Sequence, residues 1–75
     1  MNVTFFVKKD DETNERFLLR TETDVVPCIR GRVMFQDFEK VDELNIYEAI
    51  SVDYIYIPNE PKPDIEVILK PLKML

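Results

Sequence analysis

Arg16, Arg20, Arg30 and Arg32 are the only arginines of the chain, and all four lie in its first half. Their spacing, four residues in one pair and two in the other, puts each pair on a single face of a regular strand. A guanidinium is a planar fork that grips phosphate through two hydrogen bonds. With Phe6 or a tyrosine beside them to stack on a base, four such forks would suit a phosphate or single-stranded nucleic-acid binder. The same arginines serve equally well as cross-strand ion pairs with Glu22, Glu48, Asp53 or Glu66. A formal net charge of −5 favours that second use and disfavours nucleic acid and anionic membrane alike. Gly31 also separates Arg30 from Arg32, and a bulge there would spoil their alignment.

Other chemistry is thinly supplied. The chain has no histidine, the usual general base near neutral pH. No glycine-rich phosphate loop is possible with a single glycine. Cys28, the one cysteine, follows Pro27 in an apolar run with no histidine to activate it, which points to a buried structural thiol. That same count excludes a disulfide within the chain, and a zinc site of the usual cysteine and histidine type has too few ligands. Asp42 and Glu43 are adjacent carboxylates, but a solvated helix face explains them. The acidic stretch DDETNE (10–15) lacks the central glycine and the terminal glutamate spacing of a calcium loop. The expectation is a protein without catalytic residues, metal or cofactor.

The elements that would carry these residues are read from their periods. Val3, Phe5 and Val7 alternate with Thr4, Phe6 and Lys8, and after the polar stretch 10–15 the run RFLLRTET alternates again. Phe17 and Leu19 then share one face and Arg16, Leu18 and Arg20 the other, as the two arms of a hairpin. DVVPCIRGRVMF (24–35) is a further β-rich run, with Pro27 at a strand start, edge or bulge and Gly31 at a bulge or close backbone approach. QDFEKVDEL breaks the period of two: Phe38, Val41 and Leu44 recur every third residue, and Asp37 can cap a short helix starting at Phe38. NIYEAISVDYIYIP (45–58) is the longest strand signal. PNEPKP ends it in a rigid turn. DIEVILK closes the series, with Ile65, Val67 and Leu69 facing one way. The order β-β-β-α-β-β, joined by short connections, predicts one mainly β (α+β) domain over residues 1–75, a small strongly curved antiparallel sheet of about five strands with one short helix. A single glycine makes an open curled sheet a better expectation than a closed barrel with several sharp corners.

The run 45–58 raises a problem of cover. On strict alternation one face carries Ile46, Glu48, Ile50, Val52, Tyr54 and Tyr56, and the other carries Tyr47, Ala49, Ser51, Asp53, Ile55 and Ile57. Both are largely apolar. In 75 residues a single core rarely supplies more than about 3–5 kcal/mol, and oligomerisation is the remaining staple once disulfides and zinc are set aside. Tyrosine brings large area with a polar tip to interfaces. Tyr54, Tyr56, Ile57, Leu72 and Met74 are therefore the expected contact residues, and a homodimer the expected form, with another protein as the alternative partner. The acidic second half, with nine acids against four lysines after residue 36, would also suit a regulator or inhibitor of a larger basic protein. The single cysteine, the short apolar patch at residues 3–7 and the lack of any run near 20 apolar residues point to a cytoplasmic protein outside the membrane.

Overall fold

The computed structural model describes residues 1–9, 13–36 and 44–72. Five strands form one sheet: β1 (Asn2–Val7), β2 (Arg16–Glu22), β3 (Arg32–Gln36), β4 (Leu44–Ile55) and β5 (Asp64–Pro71). Their order across the sheet is β2-β1-β5-β4-β3. The hairpin read from the sequence, β1 with β2, is present, and β4 pairs antiparallel with β5 on one side and β3 on the other. The sheet is nevertheless mixed rather than antiparallel, because β1 and β5 run parallel side by side. Local connection lengths report only on sequential neighbours, and this pair is joined through the rest of the chain. The helix expected over 38–44 falls on residues outside the described ones, except Leu44, which opens β4. Among the described residues there is no helix, and so none long and apolar enough to cross a membrane.

One side of the sheet holds the core. Val3, Phe5, Ile65, Val67, Leu69 and Ala49 are buried, and Val7, Val33, Phe35, Tyr47 and Val52 pack against them. β1 and β5 stand at the centre, which is why their odd-numbered residues are the most deeply covered. The ring of Phe5 meets that of Phe35 edge to face at 5.4 Å, and Phe35 meets Tyr47 at 5.8 Å. β1 and β3 are three strand spacings apart, roughly 14 Å in a flat sheet. Rings on those strands touch only because the sheet curls around this face. β2 and β3 stay unpaired, so the curl remains open. Met1 and Val26 close over part of the concave side.

Two bulges correct the face assignments made by strict alternation. On β2 the register shifts opposite Phe5 and Phe6, so Leu19 pairs with Phe5 while Phe17 pairs with Phe6. Phe17 and Leu19 therefore lie on opposite sides of the sheet, and so do Arg16 and Arg20, which pair with Val7 and Thr4. On β4 the shift falls at Ile50. Tyr47, Ala49, Val52 and Tyr54 all end on the concave side, and Glu48, Ser51 and Asp53 on the convex one. The bulge gathers Tyr47, Ala49, Val52 and Tyr54 into one core stripe and sets Glu48, Ser51 and Asp53 on the other side, flanked by Ile46 and Ile55.

Only the last part of residues 24–35 is strand. The segment before it closes in a turn, with the Gly31 amide donating to the Cys28 carbonyl at 2.8 Å and Arg30 at a φ of 69°. This turn is stitched to β4: Arg30 N–H donates to the Ala49 carbonyl at 2.6 Å, and Ala49 N–H donates to the Gly31 carbonyl at 2.9 Å. A Cβ on Gly31 would lie 2.8 Å from the Cys28 carbonyl oxygen, which is the close backbone approach the lone glycine signals. Cys28, expected buried, is exposed at the start of this turn.

Candidate functional site

Exposed large apolar side chains are spread over β2 (Phe17, Leu18, Leu19), the segment before β3 (Val25, Ile29), Met34 and Ile50; the one run of four in sequence, residues 54–57, stands at one end of the β4–β5 hairpin. Tyr54 sits opposite Ile65 on the concave side, and Ile55 sits opposite Asp64 on the convex side. The chain then leaves the sheet. Ile57, Pro58, Asn59 and Glu60 make a tight turn in which Glu60 N–H donates to the Ile57 carbonyl at 3.0 Å, with Asn59 at a φ of 72°. Proline followed by asparagine is the pairing a type II turn asks for. Proline presets the first central φ, and asparagine tolerates the positive second one. Tyr54 is 51% exposed, Tyr56 76% and Ile57 45%, and Ile55 is also exposed. Four consecutive large side chains thus wrap around the hairpin end with little cover. Together they expose on the order of 500 Å², divided between the two sides of the sheet by Tyr54 and Ile55, which is about the size of the largest apolar patch on an ordinary monomer.

This end of the molecule also holds a polar cleft of about 360 Å³, lined on one side by Arg20 and Glu22 of β2 and on the other by Ile57, Glu60, Lys62 and Asp64. Arg20 is anchored there. Its Nη1 donates to Thr4 Oγ1 at 3.4 Å, and its Nη2 lies 3.8 Å from Asp64 Oδ1. The acid that meets Arg20 is therefore Asp64, at the start of β5, rather than any of the four carboxylates the sequence offered. Both side chains are well exposed, so the pair contributes little stability. The two contacts draw the guanidinium inward from β2, across β1 toward the start of β5.

Of the expected contact residues, Tyr54, Tyr56 and Ile57 are brought together at this end. Leu72 is not with them. Its amide donates to the Ile46 carbonyl at 3.0 Å, at the far end of β4, seven residues of β5 away. Met74 lies outside the described residues. The four arginines are divided between the two edges of the sheet: Arg16 and Arg20 are on β2, Arg30 is in the turn, and Arg32 is on β3 opposite Glu48. Three strands separate the two groups, so no single strand pair presents all four. Among the described residues no group of three or more cysteine and carboxylate side chains could hold a metal ion. The contribution of Arg20, Glu22 and Asp64 to the apolar end was not visible in the sequence, because it depends on β1 and β5 lying side by side. Comparison of the chain with protein-family models, curated proteins and solved structures finds no match.

Proposed function

We propose that this chain is a non-enzymatic protein-interaction module that self-associates through the end of the sheet bearing Tyr54, Tyr56 and Ile57. One observation carries the reading: four consecutive large side chains, residues 54–57, stand exposed around a rigid turn. Tyr54 and Ile55 sit on β4 and Ile57 opens the Pro58–Asn59 turn, so most of the backbone beneath these side chains is already ordered before they are covered. The single cysteine and the acidic balance suit a cytoplasmic setting. The test is solution mass by size-exclusion chromatography with light scattering across a range of protein concentrations. The wild-type chain is expected to form a dimer, and Tyr54→Glu with Tyr56→Glu a folded monomer. A wild-type chain that stays monomeric at every concentration rules out self-association. Unfolding of the double variant would make the tyrosines part of the core instead.

A further inference from the structure

The longest strand, β4, has 12 residues, and its outer neighbour β3 has only 5. The ladder between them ends where Arg32 faces Glu48, and the turn after Cys28 takes up Ala49. From Ser51 to Ile55, β4 runs on with β5 on one side and, among the described residues, no strand on the other. The phase of the sheet says which backbone groups that open side presents. Lys8 N–H donates to the Leu69 carbonyl at 2.9 Å, so Leu69, and with it Val67 and Ile65, turns its backbone groups toward β1. Val52 and Tyr54 face Val67 and Ile65, and they therefore turn their own groups away from β5 and outward. Among the described residues nothing hydrogen-bonds to them there. The N–H and C=O of both residues stand open along an extended edge, which is the template on which a further strand adds.

The side chains along this edge say what the added strand carries. Asp53 stands between Val52 and Tyr54, exposed on the convex side. The residue facing it on β5 is Glu66, so two carboxylates are set directly opposite each other. Among the described residues no basic side chain pairs with either: Arg20 reaches Asp64 instead, and Asp53 has the Ser51 hydroxyl at 3.2 Å. Like charges facing across strands are destabilising, and the open position on the other side of Asp53 is where a base offsets them. We infer that an extended segment of another protein, with a lysine or arginine between two apolar residues, adds to the sheet along residues 51–55, antiparallel to β4 and in line with β3. Its apolar residues face Val52 and Tyr54, exchange two backbone hydrogen bonds with each, and lay their side chains on the concave side beside the half-exposed Tyr54. Its base faces Asp53 in a non-hydrogen-bonded pair, with Cα atoms about 4.5 Å apart against about 5.5 Å for the hydrogen-bonded kind that Asp53 makes with Glu66. A second copy of this chain does not meet that requirement by pairing this edge with itself. A two-fold axis at Asp53 sets two carboxylates together, one at Tyr54 puts Asp53 opposite Ile55, and one at Val52 carries the added strand onto Ala49, where the turn already sits. The inference goes beyond self-association through residues 54–57, since its hydrogen bonds come from the backbone of Val52 and Tyr54 and its specificity from Asp53.

Two experiments test the edge. In the first, a labelled peptide of sequence Thr-Val-Lys-Val-Thr, flanked by glycine and serine, is titrated with the full chain and binding is read by fluorescence anisotropy, beside a twin with glutamate in place of lysine. The wild type is expected to bind the lysine peptide about fivefold or more tighter than the twin, and Asp53→Lys to reverse the order. That variant also removes the opposition of Asp53 to Glu66, so it is expected to fold. N-methylation of either valine is expected to abolish binding, because those amides point at β4, and N-methylation of the lysine to leave it. In the second, hydrogen exchange followed by NMR is expected to show the Val52 and Tyr54 amides fast in the dilute free chain and slow with the lysine peptide bound. The Ala49 amide, bonded to Gly31, is expected to stay slow in both. Equal binding of the two peptides, no reversal by Asp53→Lys, or no protection of Val52 and Tyr54 at millimolar peptide overturns the inference. Protection of those two amides on concentrating the wild type alone places a second copy on the edge and overturns it too. The two readings fail separately: a chain that stays monomeric yet binds the lysine peptide loses self-association alone, and a dimer that binds neither peptide loses the edge alone.

Discussion

Replacing Gly31 by alanine adds one methyl group, and the structure says where the cost arises. The new Cβ would lie 2.8 Å from the Cys28 carbonyl oxygen, and the next nearest atoms, at 3.6 and 3.7 Å, are also Cys28 backbone. No flexible side chain can swing aside, so relief requires the turn to open. That turn holds three hydrogen bonds: Gly31 to Cys28, Arg30 to Ala49 and Ala49 to Gly31. At about 1 kcal/mol each their loss costs about 3 kcal/mol. Alanine restricts the unfolded chain more than glycine does, which returns about 0.4–1 kcal/mol. The net expectation is a destabilisation of about 2 kcal/mol. A 75-residue domain has a total stability of roughly 4–11 kcal/mol, so this is a substantial part of it. The melting temperature should fall by roughly 8–16 °C. Urea and thermal unfolding followed by circular dichroism would measure it. A Gly31→Ala chain within about 0.5 kcal/mol of the wild type would refute the reasoning, since the turn would then open without loss.

Two further substitutions test neighbouring parts of the same account. Arg30 holds a φ of 69°, where a side chain is strained, and is exposed; Arg30→Gly is expected to raise stability by about 0.5 kcal/mol in urea melts, and a loss of stability would show that the arginine side chain is needed. Ile65 is 1% exposed on the central strand β5, so Ile65→Val should cost about 0.5–1.5 kcal/mol by the same assay, and a neutral result would mean that the concave side is loosely packed.

The sequence made some of this legible and concealed the rest for definite reasons. The alternation of Ile65, Val67 and Leu69 identified a buried strand, and all three are in the core. The β1–β2 hairpin and the close approach at Gly31 were readable because turn residues and a lone glycine act locally. Bulges have no such marker. A single extra residue at Leu18 or Ile50 reverses every side chain beyond it, and strict alternation hides the reversal. The polar set Glu48, Ser51 and Asp53 does record the slip on β4, since it skips three positions where alternation allows two. The parallel pairing of β1 with β5 is non-local, and nothing within either segment encodes its neighbour. The polar side of the candidate surface, Arg20 beside Asp64, follows only from that pairing. Cys28 was misjudged because its apolar neighbours suggested a strand interior, whereas the chain turns there.

The central position of β5 has a consequence for the order of folding. Without it, β1 with β2 and β3 with β4 are two separate hairpins, and neither touches the other through the sheet. An isolated hairpin is at best marginally stable in water. Closing the gap requires Val3 to find Ile65 across almost the whole chain, and the entropy of that closure is lost before any core contact returns it. Folding should therefore be a late, concerted event in the slow range of small β-rich domains, milliseconds to seconds, rather than the growth of an early hairpin. During synthesis the same wait applies: until β5 leaves the ribosome, the exposed edge of β2 has no finished sheet behind it.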